Sequence, residues 1–274
     1  MPLHFEARQS SSLPIEVHGI TPDLLREKSV AEIEKLEILQ GNRRLPLAEL
    51  FVVKGTAAEQ VHRWSGTLTN VHWLGAKMKS GRIEVTGGIG RHVGSELRGG
   101  EIHIHGSVSD WLGAELHGGL IHVRGSAGDS VGSAYRGNTK GMTRGTIIVG
   151  GNAGHEPGHS LRRGLIYIAG NIGDMAGLNM LAGTILVGGK AGLRHGAGMR
   201  RGTIVFLGSQ APPLLPTFRR GCRFQPGVFP LLAAQLRQAQ APFSEESMAA
   251  AFDLYHGDLL EGGRGEILVR ATNH

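Results

Sequence analysis

Residues 81–99 read GRIEVTGGIGRHVGSELRG, and residues 100–118 read GEIHIHGSVSDWLGAELHG. The two match column for column, and the pattern returns from Gly119, Gly145, Gly164, Gly183 and Gly202. Every step is 19 residues except Gly119 to Gly145, which is 26; the extra seven, Asn138 to Arg144, read as a surface insertion. An imperfect earlier unit, GTLTNVHWLGAKMKSG, starts at Gly66. Counting the opening Gly as position 1, position 3 is Ile throughout: Ile83, Ile102, Ile121, Ile147, Ile166, Ile185 and Ile204. Position 5 is Val85, Ile104, Val123, Val149, Ile168, Val187 or Phe206, and positions 7 and 14 are Gly. Position 17 returns an apolar column of Leu97, Leu116, Tyr135, Leu161, Met180 and Met199.

Alternation of β-branched residues at positions 3 and 5 has the period of a strand, with position 4 facing outward. One short strand and two Gly corners per 19 residues cannot make an up-and-down sheet, but they make one rung of a coil. The fold predicted is mainly β: a right-handed, single-stranded parallel β-helix of about seven 19-residue Gly-rich rungs, with small α/β caps at both ends. Glycine suits the corners because positive φ is open to it at little steric cost. Nothing helical follows the glycines, which excludes a set of phosphate-binding loops.

Residues 1–65 then read as an N-terminal cap, 66–208 as the β-helix, and 209–274 as a linker, helices and closing strand. In the cap, TPDLLREKSVAEIEKL predicts a short helix with Thr21 at the N-cap and Pro22 at N1. EIEKLEIL and LPLAELFVV supply strand or capping material. Beyond Gly208, SQAPPLLPTF is a Pro-rich linker, PLLAAQLRQAQ and SEESMAAAFDLY read as helices, the second capped by Ser244, and GEILVR closes as a strand.

Of the 274 residues, 44 are Gly, yet 11 Pro and no triplet period rule out collagen. With 40% hydrophobic and 19% charged residues the chain is globular rather than disordered. A net charge of +6 rests on 22 Arg and 7 Lys; the planar guanidinium favours carboxylate and phosphate recognition. Cys222, a lone cysteine without a companion motif, reads as structural and suits a reducing compartment. MPLHFEARQSSS lacks an apolar signal region and no apolar run approaches a membrane span. The expectation is a cytoplasmic protein engaging neither membrane nor nucleic acid.

His155-Glu156-Pro157-Gly158-His159 matches H-E-x-x-H, but that motif binds zinc only on a helix, which Pro157 and Gly158 break. His103 and His122 share position 4, with His105 two residues on along the same face; without a recurring third ligand they read as exposed or partner-contacting. Asp110, Asp129 and Asp174 at position 11 form an outward acidic column, the feature on which a stand-alone carbohydrate-active β-helix enzyme would depend. Position 18 carries Arg98, His117, Arg136, Arg162, Leu181 and Arg200, with Arg163 and Arg201 following and Lys140 and Arg144 added by the insertion. Stacking would align these as a basic ridge, either a solvated face or a track for a polyanion or an acidic partner. Aromatics are not interleaved with it, as single-stranded nucleic acid would require.

The G-x-I-x-V-x-G units resemble the Gly-rich β-helix shared by the C-type subunits of formylmethanofuran dehydrogenases and the C-terminal domain of the glutamate synthase large chain. LPIEVHGITPDLLREKSVAEIEKLEILQGNRRLPLAELFVV and YHGDLLEGGRGEILV are similar to the flanks of those C-type subunits, so the resemblance runs from about residue 13 to 270. It implies a scaffold with no catalytic residue and no metal of its own. The chemistry would lie in partner subunits: a metal-holding amidohydrolase-type hydrolase, a formyltransferase and a further B-type subunit. A bacterial formyltransferase/hydrolase complex of this type passes formyl from tetrahydromethanopterin to a methanofuran-type carrier and hydrolyses it to formate. The alternative is the C-type subunit of a molybdenum or tungsten formylmethanofuran dehydrogenase; the Arg-rich, Lys-poor composition favours the bacterial complex. The resemblance also gives Arg98, Arg136, Arg162, Arg200, Lys140 and Arg144 a use, namely docking the carrier's polyglutamyl tail or an acidic partner face.

Overall fold

The computed structural model describes residues 1–271. Its body is an open sheet of 13 strands, most of them parallel to their neighbours. The repeat units contribute Arg82–Val85, Glu101–Ile104, Leu120–Val123, Thr146–Val149, Leu165–Ile168, Thr184–Val187 and Thr203–Phe206. Each strand pairs in parallel and in register with the next, so the position-3 isoleucines run side by side from Ile83 to Ile204. All are fully buried, as are Val85, Val123, Val149, Ile168 and Val187. Two more lines of contact join the units. Isolated bridges run through Leu68, Ile89, Val108 and Ala127, and again through Ala153, Ile172 and Ala191. The amides of Gly94, Gly113 and Gly132 donate to the carbonyls of Leu74, Val93 and Leu112 one unit back. Positions 9 and 13 thus add interior columns that the Ile/Val pair did not reveal.

Positive φ explains only part of the glycine. Positions 1 and 14 do adopt it, for example Gly100 at +83° and Gly132 at +67°. Position 7 does not: Gly106 is there because a Cβ would collide with the backbone of Gly87 and Gly88 on the preceding rung. At Gly132 both reasons apply, since a Cβ would lie 2.6 Å from Ile166 Cδ1. Gly132→Ala should therefore cost more than the roughly 1–2 kcal/mol of a left-handed residue alone, read as a lowered Tm. An unchanged Tm would mean that the corner relaxes freely.

The repeat begins earlier than Gly66. Val61–Ser65 pairs in parallel with Arg82–Val85, which puts His62 beside Ile83 and Trp64 beside Val85, and makes Gly66 a corner within this unit. Leu3–Ala7 adds a parallel strand beyond it and Phe51–Lys54 an antiparallel one, with Phe5 stacked on Trp64 at 4.2 Å. TPDLLREKSVAEIEKL forms two short helices rather than one, Pro22–Leu25 and Val30–Glu34, and a third, Leu47–Leu50, precedes the strand Phe51–Lys54. Val30–Glu34 opens on a capping box between Ser29 and Glu32, whereas the Thr21 side chain does not cap its helix and its buried hydroxyl has no partner among the described residues.

After Phe206 the next parallel strand comes from far along the chain: Gly265–Arg270 sets Ile267 beside Ile204 and Val269 beside Phe206. Antiparallel strands Phe252–Gly257 and Arg219–Phe224 finish the sheet. The helix expected over SEESMAAAFDLY stops at Ala249, because Phe252 and Leu254 alternate inward as strand residues. Ser244 does cap it, accepting from the Ser247 amide. Cys222, read as structural, is exposed on the outermost strand.

Position 4 faces outward, but from Ile148 onward it is not solvated. Ile148, Tyr167, Leu186, Val205 and Leu268 are buried beneath the helix Phe229–Gln238 and its successor, against Phe229, Ala233, Leu236 and Met248. The Tyr167 hydroxyl donates to the Pro242 carbonyl at 2.7 Å, and burial pushes its pKa up to about 12.

Candidate functional site

The ridge is real in part. Rung-to-rung bonds order position 18 as Arg98, His117, Thr143, Arg162, Leu181 and Arg200, each amide reaching back to the residue at position 17 of the rung before. Arg136 is not in this column. The insertion spans Tyr135 to Gly141, because Ala134 still keeps step with His159 while Met142 re-enters under Gly132. Met142 fills the buried position 17 assigned above to Tyr135. A repeat read from its glycines cannot show this shift, since the count from Gly119 to Gly145 is the same wherever the excess lies.

The basic side chains therefore fall into groups. Arg98 and Arg162 are exposed, three rungs apart, or about 14 Å at strand spacing. Arg144 and Arg163 occupy position 19 of adjacent rungs, and Arg136 and Lys140 project from the exposed insertion. Arg200 is paired with Glu261 at 3.1 Å, and the His117 ring bonds Thr143 Oγ1 at 2.9 Å. Among the described residues Arg98, Arg136, Lys140, Arg144 and Arg162 have no ion pair. The face presents separated basic side chains rather than one unbroken line.

The acidic column has a structural occupation. The Asp110 carboxylate accepts the Asp129 amide at 3.0 Å, Asp129 accepts from His155 at 2.7 Å, the His155 ring from Asp174 at 3.0 Å, and Asp174 from Leu193 at 2.9 Å. Each side chain thus satisfies a corner amide of the following rung. H-E-x-x-H falls across this ladder: Glu156 has φ +57°, Gly158 +72°, and no helix runs through it. His103 and His122 lie on adjacent strands with rings 6.1 Å apart, and His103 Nε2 is 2.9 Å from the Glu101 carboxylate. No group of three or more His, Cys, Asp or Glu among the described residues is arranged to hold a metal.

One surface went unread in the sequence. Trp73, His92 and Trp111 stand at position 12 of successive rungs, all with φ between +61° and +64°. Their left-handed backbone lets each amide donate forward, to Arg91, Asp110 and Asp129 respectively. Trp73 stacks on His92 at 4.1 Å, and Tyr135, delivered by the insertion, lies 5.1 Å from Trp111 and bonds His92 and Ser95 through its hydroxyl. Burial is the main cause holding His92 down to about 4 and raising Tyr135 to about 12. The signal was present as W/H/W at 19-residue spacing.

No family model matches the chain. The C-type subunit of the molybdenum-containing formylmethanofuran dehydrogenase 1 of Methanosarcina barkeri is 39% identical over 90 residues, which is 31% of this chain and 30% of that protein. Its counterpart in Methanothermobacter thermautotrophicus is 42% identical over 83 residues, 30% of this chain and 21% of the relative. The matched stretch thus spans between a fifth and a third of these curated relatives. A chain in the crystal structure of the formyltransferase/hydrolase complex (FhcABCD) from Methylorubrum extorquens, in complex with methylofuran, matches with a TM-score of 0.90 at 31% identity. That match covers 98% of this chain and 100% of the other.

Proposed function

The chain belongs to the family of formylmethanofuran dehydrogenase C-type subunits, and from that premise we propose that it is the non-catalytic scaffold of a formyltransferase/hydrolase complex. The complex would move formyl from tetrahydromethanopterin to a methanofuran-type carrier and release formate, in cytoplasmic one-carbon metabolism. A metal-holding amidohydrolase-type hydrolase, a formyltransferase and a B-type subunit would supply the chemistry. The observation that carries this reading is the end-to-end match to a chain of such a complex. Curated relatives named as dehydrogenase subunits support the second reading, the C-type subunit of a molybdenum or tungsten enzyme, over a shorter stretch. A sugar-cleaving β-helix draws less support, because Asp110, Asp129 and Asp174 are engaged in the corner ladder.

In this reading the stacked units are a right-handed parallel β-helix of about seven Gly-rich repeats within residues 66–208, entered from the strand Val61–Ser65 and flanked by an N-terminal cap and a C-terminal closing region. Its basic face would dock the carrier's polyglutamyl tail or an acidic neighbour through Arg98, Arg162 and Arg200, with Arg136, Lys140 and Arg144 reaching from the insertion. Purification from the native host under mild salt should bring down a hydrolase and a formyltransferase. Recovery with molybdenum or tungsten subunits would favour the dehydrogenase, and recovery alone with glycosidase activity would overturn both. Replacing Arg98, Arg162 and Arg200 by Gln should weaken assembly or carrier binding about tenfold at low salt, a difference that shrinks once the Debye length falls to about 3 Å near 1 M salt. Equal binding by both forms at low salt would remove the ridge from this role.

A further inference from the structure

The outward column changes character where its cover ends. Ile148, Tyr167, Leu186, Val205 and Leu268 lie under the C-terminal helices, but the two rungs before them carry His122 and His103 in the same column. The covering segment reaches this border only with Gln240 and Pro242, and leaves a cavity of about 530 Å³ above the sheet. His122 lines it, 8% exposed, and its ring has no hydrogen bond among the described residues. Arg124 and His105 stand beside it on the same face, in line with each other across the pair of strands, and are likewise unpaired among the described residues. The next residue in that line is Gly150, without a side chain to cover the guanidinium.

The acids nearby are already engaged. Glu84 takes both Arg63 and Arg82, at 3.0 and 3.1 Å, and Glu101 takes His103 at 2.9 Å. What faces the cavity unsatisfied is a set of donors: two imidazoles and one guanidinium, one of the imidazoles more than nine-tenths buried. A guanidinium and two imidazoles that converge on one cavity, with the nearby acids engaged elsewhere, favour an oxyanion over a neutral or cationic ligand. We propose that this cavity is an oxyanion site, holding a carboxylate or phosphate group of a small ligand among His105, His122 and Arg124.

The electrostatics couple binding to a proton. Burial first, then His103, Arg124 and His105, hold the His122 ring below its ordinary pKa. Glu84, Glu101 and Arg82 complete the charged groups on the sheet side, while the cover adds only uncharged Gln240 and Pro242. A bound anion opposes the cationic neighbours and draws a proton onto His122, so affinity rises as the pH falls through the imidazole range.

The full-length chain is titrated with sulfate and, separately, with glutarate, against chloride at equal ionic strength, following the His C2–H resonances. Saturable shifts at His122 and His105, tighter at about pH 6 than at pH 8, are expected, together with a roughly tenfold loss in Arg124→Gln and none in Arg43→Gln. Saturation by sulfate alone marks a phosphate site, and by glutarate alone a carboxylate site. His122→Gln should keep the fold and lose the pH dependence. Shifts that chloride reproduces, or an Arg124→Gln protein that binds like the parent, would overturn the assignment.

Discussion

Ile121→Asp is expected to abolish folding. Ile121 lies between Ile102 and Ile147 with none of its surface exposed. Gly94 is bare because a Cβ there would lie 2.5 Å from the Ile121 Cδ1. A carboxylate at that point would have neither water nor a partner, and leaving a charge or polar group so stranded costs several kcal/mol. Typical domains hold only about 5–15 kcal/mol in total. The position compounds the loss, because a stacked repeat contacts only its neighbours and a failed middle rung separates the two ends. Ile121→Val, which removes one methylene in place, should cost only about 0.5–1.5 kcal/mol. Far-UV circular dichroism and urea unfolding of the pair decide the matter; a cooperative transition in the Asp variant would contradict a continuous core.

Acid should weaken the protein chiefly through one residue in that same column. His62 occupies the place of the isoleucines, beside Ile83, fully buried, with neither ring nitrogen partnered among the described residues and Phe5 at 5.2 Å. Burial holds its pKa down to about 3. The unfolded chain, with an ordinary imidazole near 6.5, binds the proton more readily than the fold does. Stability from this residue is therefore complete above about pH 6.5 and is lost progressively towards pH 3, in all on the order of 5 kcal/mol at about 1.4 kcal/mol per pH unit. His62→Ile should flatten this part of the dependence. It should also raise stability at neutral pH by about 1–3 kcal/mol, since two stranded nitrogens give way to a side chain the column already accommodates. Urea midpoints across the range test both effects. Some slope remains, because His92 and His195 are also held low by burial; an unaltered slope would clear His62.

The basic face was legible as composition and spacing, and its arrangement was not. Arg98, Arg162 and Arg200 are where a 19-residue count puts them, but Arg136 belongs to the insertion and Thr143 takes its place in the column. Similarly, the acids at position 11 were visible as a column, while their engagement with the amides of the following rung was not. Such bonds depend on which residue of a corner is left-handed, and here Trp73, His92 and Trp111 adopt that conformation where glycine is the usual choice. Sequence reasoning assigns left-handed corners to Gly because the steric penalty is local; a forward hydrogen bond that offsets it is a neighbour's contribution.

Opposite outcomes at the two ends of the outward column have the same origin. His103 and His122 border an open cavity, yet Ile148 to Val205 lie under helices that follow more than twenty residues after the last repeat strand. The switch from polar to apolar at position 4 was written in the repeats, and it marks where a cover must lie without saying which segment supplies it. By itself the sequence determined the period, the buried Ile and Val columns and the location of the glycines, because each follows from alternation within one unit and repetition at a fixed step. Tertiary structure alone decided where the excess residues leave the repeat, which distant strand extends the sheet beyond Phe206, and which outward residues stay uncovered. Those outcomes depend on contacts between segments far apart in the chain, where burial and hydrogen-bond satisfaction are set jointly and no single stretch holds the information.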